Sequence, residues 1–306
     1  MTDMVGVTSQ PKTLSRAARD VIRGMRVHQW LKNILIFVPA TTSHQLLNFE
    51  VFRMVFLAFF SFSVCASAGY LINDLLDLKS DRMHPEKKSR PFASGALSPA
   101  FGVAVAALLF LTGAGFGRIV SDRYLLYLCG YLVLTVAYSL ILKTVLLLDI
   151  FLLAFFYTLR IFLGGEAAYV QVSFWLAAFS TFFFFSLAVL KRFTEVQLLT
   201  NAEGRSTRRR DYQAQDMPML SMWGVASGCA SVVVLALYLN SEEVTKLYRN
   251  PAYLWPVCLA FLFWLNRVWM MANRRRLTYD PIIFAVKDPQ SYLVAAFVAG
   301  AVWLAI

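Results

Sequence analysis

Apolar residues come in long runs separated by shorter polar stretches. Nine such runs lie near residues 31–47, 51–72, 98–117, 124–142, 144–165, 172–190, 218–239, 252–272 and 290–306. A helix that crosses a bilayer needs about 20 apolar residues, so each run reads as a membrane span. The first is the weakest, because Pro39 and the run Thr41-Thr42-Ser43 interrupt it. Ahead of it, Leu14, Ala17, Ala18, Val21, Ile22 and Met25 recur at helical spacing, with Arg16, Arg19, Arg23 and Arg26 on the other side. Residues 14–26 therefore read as an amphipathic helix lying on an anionic lipid surface. Residues 1–12 are polar and expected to be disordered, and 13–306 form a single integral-membrane domain. No cleavable signal peptide is expected, since no apolar core follows a short basic start.

Composition supports an all-α, polytopic membrane protein. Of 306 residues, 58% are hydrophobic and only 15% charged. Soluble domains carry about 25% charged residues, so a soluble globular protein, a disordered chain and a disulfide scaffold are all poor fits. Cys65, Cys129, Cys229 and Cys258 lie far apart inside apolar runs, and His28, His44 and His84 show no ligand spacing. Zinc and haem are not expected. The net charge of +11 would suggest nucleic acid in a soluble protein. Here the alternate loops hold Lys and Arg in a ratio of 22 to 5. That asymmetry predicts a cytoplasmic N-terminus, a C-terminus outside, and a multi-pass protein of the cell's inner, cytoplasmic membrane. Membrane lipid, not nucleic acid, is the expected partner of the basic residues.

Two of the cytoplasmic loops are long, 73–97 and 191–217. The first begins Asn73-Asp74, continues to Asp77, Asp81 and Arg82, then runs through His84-Pro85 to Lys87, Lys88 and Arg90. Asp74, Asp77 and Asp81 have the spacing i, i+3, i+7 and would share one face of a helix. Three carboxylates there repel one another. A bound cation resolves the repulsion, and oxygen-only donors favour Mg2+. With Lys87, Lys88 and Arg90 close behind, the stretch suits a diphosphate neutralised from two sides. The plainer alternative is a solvated helix end with local ion pairs.

This run resembles the first aspartate-rich motif of the UbiA superfamily of intramembrane prenyltransferases. The longer form, with His84-Pro85, Lys87 and Arg90-Pro91, looks like the superfamily's decaprenyl-phosphate phosphoribosyltransferase branch. Arg26 to Asn33 is similar to the branch's lead into the first span, although Val27 stands where proline is usual. Leu148-Asp149-Ile150 with Tyr157 and Arg160 looks like its fifth span. Asp280-Pro281 with Phe284-Ala285 and Asp288 looks like its final loop. The resemblance implies nine transmembrane helices and a cytoplasmic Mg2+–diphosphate site. It implies Asp74, Asp77 and Asp81 as catalytic metal ligands. Lys32, Asn33, Asn73, Arg82, His84, Lys87, Arg90, Asp149, Tyr157, Lys191, Arg192 and Glu195 would bind substrate.

One departure bears on the substrate. Members that act as ordinary prenyltransferases carry a second aspartate-rich motif after the sixth span. Here the sequence reads Lys191-Arg192-Phe193-Thr194-Glu195. A lysine and an arginine bind phosphate directly rather than through a metal. The expected reaction is therefore transfer of a 5-phosphoribosyl group from phosphoribosyl pyrophosphate to a polyprenyl (decaprenyl) phosphate, with diphosphate leaving. The alternative uses a polyprenyl diphosphate donor and an aromatic or quinone-precursor acceptor. A transporter or a non-catalytic scaffold is the alternative of another class, and an oligomer is compatible with the sequence. Arg205, Arg208, Arg209 and Arg210 are expected on lipid headgroups. Asp149 and Arg160 lie within one span, about 16 Å apart along a helix, so each needs a partner of its own.

Overall fold

The computed structural model describes residues 14–83, 87–200, 212–277 and 280–306. The expectations for residues 1–12, His84, Arg205, Arg208, Arg209 and Arg210 lie outside the described residues. Every regular element among the described residues is helical. In chain order these are α1 (Leu14–Met25), a 3-10 segment (Val27–Phe37), α2 (Val38–Thr42), α3 (Phe49–Leu76), α4 (Leu78–Met83), α5 (Pro99–Val120) and α6 (Asp122–Leu140). Then come α7 (Leu148–Ala167), α8 (Phe174–Thr200), α9 (Met217–Leu239), α10 (Glu242–Leu247), α11 (Trp255–Asn273), α12 (Pro281–Lys287) and α13 (Pro289–Ala305).

Among the described residues, seven helices are long and apolar enough to cross a membrane, or eight if the bent pair α12–α13 counts as one span. The expected count of nine is not reached, and the two ends of the chain explain why. Residues 31–47 do not form one α-helix. Pro39 has no amide proton to give the Leu35 carbonyl, and that carbonyl accepts instead from Val38 N, three residues on. The final run forms α13, whose 17 residues reach the length of a span only together with α12, and the two meet at a break at Asp288-Pro289. A residue before proline is pushed out of the α region, and Asp288 is extended (φ −92°, ψ 118°). Its carboxylate caps α13 through Ser291 N and accepts two bonds from Arg267, at 2.8 and 2.9 Å. The axis turns by 82° there.

Two buried cores share one helix. Ile150, Ala154, Tyr157 and Ile161 of α7 enter the core built with α8, α9, α11 and α13. Leu159, Leu163 and Ala167, on its opposite face, enter the core built with α2, α3 and α6. Both rows recur at helical spacing. Small residues let the helices approach. A Cβ at Gly164 would stand 2.0 Å from the Ile36 carbonyl oxygen, so α7 touches the backbone of the 3-10 segment. A Cβ at Gly113 would stand 2.9 Å from the Ser61 carbonyl oxygen, where α5 lies along α3. At the other end of α3, α1 docks through Val21 against Leu71 and Phe92.

Candidate functional site

The aspartate-rich stretch is not one continuous helix. α3 ends at Leu76, Asp77 takes a turn conformation (φ −87°, ψ 1°), and α4 restarts at Leu78. The break separates the three carboxylates. Asp74 is 2% exposed, and its Oδ1 accepts from Arg26 Nη2 at 2.5 Å and Arg90 Nη1 at 3.0 Å. The same Arg90 nitrogen donates to Asp81 Oδ2 at 2.7 Å. Asp77 faces Lys143, whose Nζ lies 3.0 and 3.3 Å from its two oxygens. The expected common face is thus met by Asp74 and Asp81, while Asp77 turns to the α6–α7 loop.

Among the described residues, no three His, Cys, Asp or Glu side chains converge closely enough to hold a metal ion. The donor chemistry of the pair nevertheless fits a hard divalent cation. Asp74 Oδ1 and Asp81 Oδ2 flank one point already taken by a cationic nitrogen. Asp81 Oδ1 is buried and has no hydrogen-bond partner. A buried carboxylate oxygen without a partner is costly, and a metal ion would relieve it.

Asn73 is half-buried at the end of α3, Arg82 is exposed on α4, and Lys87 is half-buried in the 3-10 turn Lys87–Ser89. These three lie on the same stretch as the pair.

A second polar centre joins three distant segments. Asp280 Oδ2 accepts from Lys32 Nζ at 2.6 Å and lies 3.4 Å from Lys191 Nζ. Asp280 also caps α12 through Ile282 N. Burial alone would raise the pKa of Asp280, but the Lys191 and Lys32 ammonium groups hold it below the usual carboxylate range. Lys32 Nζ sits 5.8 Å from the Tyr157 ring centroid, and that ring stacks on Phe184. The Lys191 side chain is 31% exposed and so remains open to solvent.

Arg192 behaves differently from its neighbour. Its side chain is 1% exposed. Its Nε donates to Asp149 Oδ2 at 2.5 Å, Nη1 to Glu195 Oε2 at 2.5 Å, and Nη2 to the Tyr138 hydroxyl at 3.1 Å. All three nitrogens are engaged within the protein. The other Asp149 oxygen accepts from the Tyr212 hydroxyl at 2.7 Å, and that hydroxyl accepts from Leu147 N. Burial, and then the bond to Asp149, raises the Tyr212 pKa, so the hydroxyl stays protonated. Arg192, Asp149 and Glu195, expected at the substrate, are brought together in an ionic network that ties α7 to α8.

Asn33 has a similar place. Its Oδ1 accepts from Arg160 Nε at 2.9 Å, and its Nδ2 donates to Ser63 Oγ at 2.9 Å. Arg160 also bonds the Phe156 carbonyl and lies 4.7 Å over the Phe62 ring. Asp149 and Arg160 each have their own partners, as their spacing required. Arg26, Lys143, Tyr138 and Tyr212 were not among the expected site residues, and Asp280 was noted only within its stretch. Arg26 and Asp280 stood inside stretches already singled out, and Lys143 was signalled as a lone charge between two apolar runs.

The profile of the UbiA prenyltransferase family matches residues 35–287. The chain belongs to the UbiA prenyltransferase family. It is a multi-pass membrane protein and a UbiA-family transferase. An uncharacterized protein, y4nM, of Sinorhizobium fredii is 37% identical over 95% of this chain and 57% of its own length. The chain thus spans little more than half of that relative. Nodulation protein NoeC of Azorhizobium caulinodans is 32% identical over 91% of each chain. A decaprenyl-phosphate phosphoribosyltransferase of Corynebacterium glutamicum is 31% identical over 77% of this chain and 70% of its own. Among solved structures, a UbiA homolog from Archaeoglobus fulgidus bound to DMAPP and Mg2+ superposes with a TM-score of 0.70. It is 13% identical, with 92% of this chain and 99% of that one covered. At that identity the likeness speaks for the UbiA fold.

Proposed function

We propose that this UbiA-family transferase moves a 5-phosphoribosyl group from phosphoribosyl pyrophosphate to a polyprenyl phosphate, with diphosphate as leaving group. Asp74 and Asp81 would hold Mg2+, and Asp77 would join them as a third oxygen donor on turning from Lys143. When bound, Mg2+ supplies neutralisation of the charge that grows on the departing diphosphate. Arg90 and Lys87 add positive charge on the same side, and Asn73 orients the donor. The transition state at the anomeric carbon has oxocarbenium character, as at other anomeric centres. A polyprenyl phosphate is already an anion at neutral pH, so no strong general base is needed. The donor reaches the site from the cytoplasm, and the lipid tail lies in the bilayer or between helices.

One observation carries the choice of donor. Toward the C-terminal end of α8, the half-buried Lys191 meets Lys32 on Asp280, and Glu195 is held by Arg192. That region presents ammonium groups suited to a phosphate rather than free carboxylates suited to a second metal. Phosphoribosyl pyrophosphate has a 5-phosphate beyond its diphosphate, and an isoprenoid diphosphate does not. The phosphoribosyltransferase relative at 31% identity supports the same donor.

The test is a paired assay with purified protein. Labelled phosphoribosyl pyrophosphate plus polyprenyl phosphate should give a lipid-linked product, and prenyl diphosphate plus hydroxybenzoate should not. Turnover only in the second assay would replace this reading with the prenyl-transfer alternative. No Mg2+-dependent transfer in either would favour a non-catalytic role.

A further inference from the structure

We propose that Arg90 is a built-in competitor for the divalent cation at Asp74 and Asp81. It yields its place when the metal binds and turns to the anionic substrate. The inference rests on the reading that these two carboxylates hold a divalent ion.

The geometry starts from a single nitrogen. Arg90 Nη1 lies 3.0 Å from Asp74 Oδ1 and 2.7 Å from Asp81 Oδ2. A cation bound to both oxygens would need the same point, so metal and guanidinium exclude each other. Asp81 is 1% exposed, and its other oxygen has no partner. One guanidinium nitrogen therefore satisfies the pair incompletely. A divalent ion with several open coordination positions would satisfy it better.

Arg90 is also built to leave. Its backbone is fixed, with its N–H donating to the Lys87 carbonyl and its carbonyl accepting from Ser94 N, each at 2.9 Å. Its side chain is 25% exposed, so rotation of the side chain alone frees the guanidinium. Asp74 keeps a cation after that move, because Arg26, just past the end of α1, holds the same oxygen. An arginine does not shed its proton to escape. It leaves only by finding another anion, and a diphosphate beside the metal provides one. Metal and substrate would then bind cooperatively, with the metal weak alone and tighter with substrate.

The experiment uses full-length protein in detergent with Mn2+ alone as the probe, and free Mn2+ is read by electron paramagnetic resonance. Arg90→Gln should bind Mn2+ about tenfold more tightly than the wild type, a typical coupling between competing ligands. Asp81→Asn should abolish that binding. Transfer activity of Arg90→Gln should fall while its metal affinity rises, and a merely structural residue would not move the two in opposite directions. If Arg90→Gln does not fold, Arg90→Lys carries the test. Its ammonium lacks the planar fork, so Mn2+ affinity should fall between wild type and the Gln variant. Unchanged or weaker Mn2+ binding in the Arg90 variant, with Asp81→Asn still abolishing it, overturns the competitor role and leaves the metal reading intact. Mn2+ binding indifferent to Asp81→Asn overturns the metal reading, and this inference with it.

Discussion

Lys32 donates to Asp280 across 2.6 Å, although 248 residues separate them in the chain. The bond joins the 3-10 segment Val27–Phe37 to the loop before α12, and Lys191 from α8 approaches the same oxygen. A depressed carboxylate pKa means that the folded state binds the proton less readily than the unfolded chain does. The stability contributed by Asp280 is therefore full above the ordinary carboxylate range and is lost as pH falls through its lower folded value. Thermal unfolding of wild type and Asp280→Asn in detergent should differ at neutral pH, and the difference should close only in acid. A gap that stays constant down to strongly acidic pH would contradict this assignment.

Lys191 is the more solvent-accessible arm of that centre, so it should affect donor binding more than turnover. Lys191→Ala is expected to raise KM for phosphoribosyl pyrophosphate about tenfold, the scale of one charge-assisted hydrogen bond, with a smaller change in kcat. Steady-state kinetics with the donor varied checks this. An unchanged KM would remove Lys191 from the donor site.

Arg192 should behave as a residue of the core. Breaking a buried ion pair leaves an uncompensated charge and costs about 3–5 kcal/mol. Arg192→Met should lower stability on that scale, measured by denaturant unfolding. Asp149→Leu combined with Arg192→Met should recover part of the loss, because both charges are then gone.

The aspartates answer to metal. Asp81→Asn should reduce kcat roughly 10²–10³-fold, the scale of losing one electrostatic contact to a developing charge. Chelation with EDTA should abolish wild-type transfer, and Mg2+ should restore it. Full activity under chelation would remove metal from the mechanism.

Gly164 tests the close approach of α7 to the 3-10 segment. A methyl group there meets backbone, which cannot rotate away. Gly164→Ala should cost about 1–3 kcal/mol, as overpacking does. Gly115→Ala, with nothing within 4 Å of the added carbon, is the control and should be near neutral.

The sequence was most legible where periodicity alone decides the outcome. The amphipathic pattern of residues 14–26 gives α1, and seven apolar runs give seven long helices. It was least legible where one residue outweighs a run. The first run changes from 3-10 to α backbone just before Pro39, and Asp288-Pro289 bends the chain at the entry to the last. Candidate chemistry was legible by residue type but not by pairing. Spacing cannot foretell that Arg192 meets Asp149, 43 residues away, or that Asp77 meets Lys143, 66 away. A helical projection put three aspartates on one face, and the turn at Asp77 was invisible to it. Neighbouring Lys191 and Arg192 looked alike as cations. Burial separates them, since one side chain is 31% exposed and the other 1%.

The helix that serves both cores has a mechanical consequence. A small sideways shift of α7 would push Tyr157 against one half of the protein while pulling Leu163 from the other. Neither half can slacken alone. Asp149 and Arg160 ride on that shared rod, so a disturbance at either one is felt by both halves together.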